Sequence, residues 1–142
     1  MPGDTPTHYE GPLALPGVYS VRLTVDGTSS TQKVRVTNDP RSTATAADLV
    51  AQHELQMQIY RAIADADTAA TATRRTSGNA PPFGRIRDTL NHLLEELDSA
   101  DFAPTPSMTG AYRAACNELH DALTKEPVPS ITPPVCPAGA GR

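Results

Sequence analysis

The chain is an acidic protein of 142 residues, with 12 Lys and Arg against 16 Asp and Glu and a formal net charge of −4. Its longest basic run is Arg74-Arg75, so neither nucleic acid nor an anionic membrane surface is an expected partner. No apolar stretch approaches the roughly eighteen residues of a bilayer span, and the N-terminal MPGDTPTHYEGP has no basic or apolar signal region, so no secretory signal is expected in this chain.

The N-terminal third predicts an irregular segment followed by a β-hairpin. Residues 1–15 are rich in Pro, Gly and Thr, whereas residues 16–41 contain two stretches with strand-like alternation. The apolar positions of the first strand have the period of a strand with one buried face; they are Tyr19, Val21, Leu23 and Val25. A loop over residues 26–30 is expected to lead into a return strand over about 31–37, which Asn38-Asp39-Pro40 ends.

The sequence predicts no further strands that would form a larger sheet with this hairpin. A two-stranded ribbon is marginal in water, because its apolar face and both of its edges stay open. The residues upstream can add one short irregular strand at most. Either the helices downstream cover the apolar face, or the strands that complete the sheet belong to a longer parent or to a companion chain.

Residues 44–125 predict a helical region whose first helix covers about 45–73. Thr45 can cap this helix, and Asp48 three residues later completes a capping box. The stretch after Asp65 has no large apolar residues and is expected to fray. The apolar residues before it form a broad arc, which indicates neighbours on two sides; they are Leu49, Val50, Leu55, Met57, Ile59, Tyr60 and Ile63.

Two further helices are expected over about 84–99 and 106–124. Thr105 can cap the third helix, with Pro106 at its first position. Both helices carry an apolar stripe at helical spacing, made of Ile86, Leu90, Leu93, Leu94 and Leu97 in one and of Tyr112, Ala115, Cys116, Leu119, Ala122 and Leu123 in the other. The predicted class is α+β, a hairpin followed by a three-helix antiparallel bundle or a helical hairpin. Residues 126–142 are expected to form a flexible proline-rich tail.

The cysteines allow three interpretations. Cys116 and His120 share one helix face, and His92 or Cys136 can join them around zinc, but no second paired ligand motif accompanies them. Cys116 also fits the apolar stripe as a small buried side chain. A Cys116–Cys136 disulfide would suit a protein exported to an oxidising compartment and would attach the tail to the third helix. No metal site and no cofactor are assigned.

No set of catalytic residues emerges. His53 lies within the apolar arc of the first helix and is expected to be a core or partly covered histidine with one hydrogen bond, not a ligand or base. Glu95 and Glu96 are adjacent on a helix and diverge by about 100°, so they do not converge on one substrate atom. Ser29-Ser30 have no His or Asp partner, and no G-x-S-x-G elbow occurs.

The hairpin and the helices that follow it resemble the C-terminal region of bacterial sortilin-like proteins. These are propeller proteins with BNR/Asp-box repeats that are often labelled glycosyl hydrolase or sialidase-like. ELDSADFAPT at 96–105 is similar to the break between the last helices of that family. The other matching residues are Gly11-Pro12-Leu13-Ala14, Pro16-Gly17, Tyr19, Val21 to Gly27, Thr31-Gln32, Val36 and Asp39-Pro40-Arg41.

The resemblance implies that the hairpin is the remnant of an Ig-like sandwich that follows the propellers, in an exported parent. No Asp-box repeat of the S-x-D-x-G-x-T-W type occurs in the sequence, so no catalytic residue is carried over. The expected function is a non-catalytic C-terminal structural or interaction module, from a fragment or truncated form, whose partner is the propeller or Ig-like portion of a parent or companion protein. The localisation stays open.

The alternative is a self-contained helical adaptor, which would bind a protein partner through Val50, Met57 and Tyr60 on the first helix. A small hydrolase is a third class, but its acid, base or nucleophile is not found. The predicted interaction face therefore has two parts, one on the hairpin and one on the first helix; its residues are Tyr19, Val21, Leu23, Val25, Val50, Met57 and Tyr60.

Overall fold

The structure, a computed structural model, describes residues 11–74 and 82–138. A two-stranded antiparallel sheet precedes three helices, which confirms the predicted α+β class. The helix bounds lie within one residue of those predicted from the sequence. The elements are β1 (Gly17–Val25), β2 (Thr28–Val36), α1 (Ala46–Thr73), α2 (Phe83–Asp98) and α3 (Pro106–Lys125).

The turn of the hairpin is tighter than predicted. Asp26 and Gly27 alone connect the strands, with φ angles of 48° and 80°, so the prediction of a five-residue loop over 26–30 is wrong. Positive φ at both central residues is the geometry of a type I′ turn, whose twist matches that of the flanking strands. The hydroxyl-rich residues after the turn therefore continue the ladder, which runs from Val25–Thr28 at the tip to Gly17–Val36 at the base.

The helices form a three-helix bundle in which each packs on the other two. The apolar stripes of α2 and α3 are buried except at Leu94, which is half-buried against the core. Phe83, one residue before the predicted start of the second helix, is a fully buried part of the same core. Helix α1 contributes two large side chains and three alanines to the core, namely Leu55, Ile59, Ala62, Ala66 and Ala69.

The second half of α1 stays helical to Thr73, so the expected fraying after Asp65 is not observed in the described residues. Ala66 and Ala69 are both fully buried. Alanine is the best helix former, and its small side chain allows a neighbouring helix to approach closely. A stretch without large apolar residues therefore still packs.

The helix starts follow the predicted capping. Thr45 accepts a hydrogen bond from the backbone N–H of Asp48, and the Asp48 carboxylate accepts one from the backbone N–H of Thr45, so both arms of the capping box are present. The hydrogen bonds that the backbone N–H and the hydroxyl of Thr45 donate to the carboxylate lower the pKa of Asp48. At α3 the Thr105 hydroxyl accepts from Met108 N, and Pro106 occupies the first turn.

Residues 126–138, the described part of the segment after α3, contain no helix or strand and nevertheless pack against the bundle. Val128 is buried, Ile131 lies against the core, and Cys136 forms a disulfide with Cys116. His120 Nδ1 lies 3.1 Å from the carbonyl oxygen of Pro134 in this segment. The described part of the predicted flexible tail is thus fixed to α3, because its apolar residues complete the bundle core.

Candidate interaction site

The hairpin is the most exposed part of the structure. Within the described residues neither strand packs against a helix, so the bundle does not cover the apolar face. Leu23 is 65% exposed, Val25 56% and Val21 55%, and Tyr19 and Val34 are exposed as well. A contiguous apolar surface of this kind commonly marks an interaction site.

The two faces of the hairpin differ in chemistry. The register places Tyr19 opposite Val34 on the apolar face, with Val21, Leu23 and Val25 following toward the tip. The other face carries Arg22, Lys33 and Arg35 among hydroxyl side chains and Val18. On that face the hydroxyls of Thr24 and Ser29 lie 2.8 Å apart, within hydrogen-bond distance, and link the two strands near the turn.

The basic face has no neutralising partner in the part of the chain that the structure describes. Within the described residues no carboxylate forms an ion pair with Arg22, Lys33 or Arg35, and neither strand contains Asp or Glu. Arg35 and Lys33 stand two positions apart on β2, and Arg22 pairs with Thr31 one strand over. The three cations therefore form a positive patch on a protein whose net charge is −4.

Among the residues that the structure describes, no third strand pairs with either edge of the ribbon. A two-residue turn makes the flanking Val25–Thr28 a hydrogen-bonded pair, and hydrogen-bonded and non-hydrogen-bonded pairs then alternate along the ladder. Residues of the non-hydrogen-bonded pairs point their backbone N–H and C=O groups outward. On β1 these are Val18, Ser20, Arg22 and Thr24, and on β2 they are Ser29, Thr31, Lys33 and Arg35.

The base of the hairpin is joined to the bundle by short connections. Tyr19 donates its hydroxyl hydrogen to Leu15 O at 2.6 Å, and Leu13 O lies 3.0 Å from Nδ1 of His53 on α1. On the other side the Arg41 guanidinium binds Asp39 and lowers the pKa of that carboxyl. His53 is half-buried and makes one hydrogen bond to the described residues, which agrees with the partly covered histidine expected from the sequence.

A cavity of about 310 Å³ lies at this junction, between residues 13–16, residues 36–38, the first half of α1 and the end of α2. Gln52 donates its amide hydrogens to Leu97 O and Ala100 O, and Gln56 donates to the Asp98 carboxylate. Burial raises the pKa of Asp98. These polar side chains are engaged in holding α1 against the end of α2, which is a positioning role.

The α1 part of the predicted interaction face is separate from the hairpin. Val50 is 43% exposed and Tyr60 41%, while Met57 is half-buried. Gly11 lies against this arc, because the ring of Tyr60 is 3.7 Å from where a side-chain carbon at Gly11 would lie. The structure thus divides the predicted face into an open hairpin and a partly covered helix surface.

The remaining candidate residues are distributed over the bundle surface. His92 lies near Glu96 and Glu95 on α2, at 3.5 and 4.0 Å, and all three are exposed. His92 does not join Cys116 and His120, since Cys116 is bonded to Cys136. No group of three metal-ligating side chains occurs in residues 11–74 and 82–138.

Two buried polar residues were not expected from the sequence. Gln52 and Gln56 are 7% and 3% exposed and lie on the core side of α1. Their partners are more than forty positions away in the sequence, so only their spacing of four, which places both on one helix face, was a signal.

No described helix combines the length and the apolarity that a bilayer crossing requires. No protein-family model, no curated protein and no solved structure matches the chain. The likeness to the C-terminal region of sortilin-like proteins therefore stays a prediction from the sequence.

Proposed function

We propose that this chain is a non-catalytic structural and interaction module, and that its hairpin completes the Ig-like sheet of a sortilin-like propeller protein, as part of that protein or as a companion chain. The observation that carries the proposal is the contrast between the two halves of the fold. The bundle has a closed core to which all three helices contribute. The hairpin exposes its apolar face, and no other described strand pairs with its edges.

The energetics favour a partner for the hairpin. Each fully buried aliphatic side chain contributes about 1.5–3 kcal/mol relative to an exposed one, and this contribution is missing at Val21, Leu23 and Val25 in the isolated chain. A two-stranded ribbon alone is marginal. A sheet that covers this face would supply the missing burial, and pairing at an edge would satisfy the open backbone groups.

The adaptor alternative receives less support. It requires the hairpin to pack on the helices, and the described residues contain no such packing. Gly11 lies against Tyr60, so part of the proposed binding surface on α1 is covered. In the cavity, His53 and Gln52 form hydrogen bonds with the main-chain carbonyls of Leu13 and Ala100. These bonds position neighbouring segments of the chain, which agrees with a structural module.

The test is binding to the Ig-like domain of a bacterial sortilin-like protein from which the last two strands have been deleted. Calorimetry should detect a complex, and Leu23→Asp should weaken it by at least roughly tenfold, since a buried leucine is replaced by a charge. Val50→Asp on α1 is the matched control and should leave the affinity unchanged. A complex that depends on Val50 and tolerates Leu23→Asp would support the adaptor and refute the module.

A further inference from the structure

We propose that the outer edge of β2 binds an extended polypeptide segment with carboxylates at alternate positions, which adds to the hairpin as a third strand. The inference rests on the proposed function, because it names the chemistry of the partner that the hairpin recognises. It concerns one edge and one charge pattern, whereas the proposed function concerns the apolar face.

The backbone of β2 is arranged for such an addition. Ser29, Thr31, Lys33 and Arg35 direct their N–H and C=O groups away from β1, and none of these groups bonds to another described residue. They recur every second residue along the strand, which is the repeat that an incoming strand requires. Addition of a strand to a free sheet edge is an established way to recognise an extended segment, with main-chain hydrogen bonds supplying affinity.

The side chains of the same edge favour a negatively charged segment. Lys33 and Arg35 project from neighbouring outward positions onto one face, and Arg22 lies beside them on β1. No carboxylate of the described chain neutralises these three cations. A side chain directly opposite in an added strand would lie at about 4.5–5.5 Å between Cβ atoms, where opposite charges attract and like charges repel. Acidic residues at every second position match this spacing.

The cations also distinguish the two edges and disfavour self-association. β1 offers Arg22 alone at its outward positions, whereas β2 offers Lys33 and Arg35. Lysine on an edge strand is a common means of preventing indiscriminate pairing. Two copies joined through β2 would bring these cations together on one face, so an acidic segment is favoured over a second copy of this chain.

The probe is a fluorescent peptide of about ten residues, long enough for one strand, in which glutamate alternates with valine, compared with the same peptide carrying lysine in place of glutamate. Anisotropy should show the glutamate peptide binding at least roughly tenfold more tightly, since two cross-strand charge pairs change sign between the peptides. Raising the salt concentration should reduce this difference.

Two proline variants identify the edge. Thr31→Pro removes an outward N–H of β2, and Ser20→Pro removes one of β1, while both leave the inner ladder bonds in place. Thr31→Pro should weaken peptide binding by roughly tenfold or more, and Ser20→Pro should have little effect. Cross-strand contacts measured by NMR in each free variant verify that the hairpin persists.

The double charge reversal K33E/R35E should exchange the preference, so that the lysine peptide now binds more tightly. Equal binding of the two peptides, an unchanged preference in this variant, or equal effects of the two prolines would overturn the inference. If these results were obtained while the truncated Ig-like domain still bound in a Leu23-dependent manner, the proposed function would stand and only the acidic-segment inference would fail.

Discussion

Gln52 on α1 reaches the last turn of α2, where its side-chain amide donates a hydrogen bond to the main-chain carbonyl of Leu97 and another to that of Ala100, at 2.8 Å. The carbonyls at a helix C-terminus have no partner within the helix. A side chain from another helix therefore satisfies the end of α2, and the same contact closes one wall of the cavity beneath the hairpin.

Gln52→Ala should destabilise the bundle. It removes two hydrogen bonds from a side chain that is 7% exposed, and unsatisfied buried acceptors cost about 1–3 kcal/mol. Urea unfolding followed by circular dichroism measures the change. Gln58→Ala, at an exposed position of the same helix, is the control and should change the free energy of unfolding by less than about 0.5 kcal/mol; equal effects at both positions would contradict the assigned role.

The contact between α2 and α3 leads to a second prediction. Leu93 is buried in the core, whereas the adjacent Leu94 is only half-buried against it. Leu93→Ala should cost about 2–4 kcal/mol of unfolding free energy. Leu94→Ala should cost clearly less, because part of its side chain already contacts water. The same urea titration compares the two variants. A larger loss of unfolding free energy for Leu94→Ala would mean that α2 turns Leu94, and not Leu93, toward the core.

Much of this bundle can be predicted from local sequence, and each difference between prediction and structure has an identifiable cause. Capping at Thr45 and Thr105 depends on residues three positions apart, so it is readable from the sequence. The Asp26-Gly27 pair was a sufficient signal for a two-residue turn, but the polar run that follows was interpreted as loop instead of strand. The burial of Gln52 depends on a carbonyl 45 residues away, which no local pattern contains.

The disulfide provides a third prediction. Cys116 and Cys136 close a loop with a sequence separation of 20, for which the loop-entropy relation gives about 3 kcal/mol of stabilisation. A reducing agent should therefore lower the urea midpoint of the wild-type chain and have no effect on Cys136→Ser. Amide exchange at Val128 and Ile131 should accelerate in that variant, since the segment loses its covalent attachment. An unchanged midpoint on reduction would indicate that the bond does not form in solution.

The pH dependence of stability gives a fourth prediction, with opposite signs at two aspartates. Burial raises the pKa of Asp98 above its ordinary value, so its contribution to stability is complete below that ordinary value and is lost as the pH rises through the folded-state pKa. Hydrogen bonds from Thr45 lower the pKa of Asp48, so its contribution is present above the ordinary value and is lost as the pH falls through the folded-state pKa.

Urea unfolding of Asp98→Asn and Asp48→Asn between about pH 3 and pH 7 tests both signs, over a range that includes the ordinary aspartate pKa of about 3.9. Relative to the wild type, Asp98→Asn should gain stability as the pH rises. Asp48→Asn should be less stable than the wild type at neutral pH, with a difference that shrinks toward acid. Parallel profiles for the wild type and either variant would show that this carboxyl has the same pKa in the folded and unfolded states.

The last prediction concerns the dynamics of the hairpin. Its strands are held by one ladder, by the bond from Tyr19 to Leu15 O and by the hydroxyl contact near the turn, and no helix packs on them in the described chain. Local opening therefore costs little, so the backbone amides of β1 and β2 should exchange with solvent much faster than those of residues 86–97, which lie in the bundle core.

Hydrogen exchange of the chain alone and of the chain with the truncated Ig-like domain measures this difference. A partner that binds the folded hairpin and not its open form slows exchange by mass action, and the slowing should be confined to β1 and β2. Leu23→Asp should abolish the slowing without altering exchange in α2. Protection of the free hairpin equal to that of α2 would mean that the bundle already supports it, and the module would then give way to the self-contained adaptor.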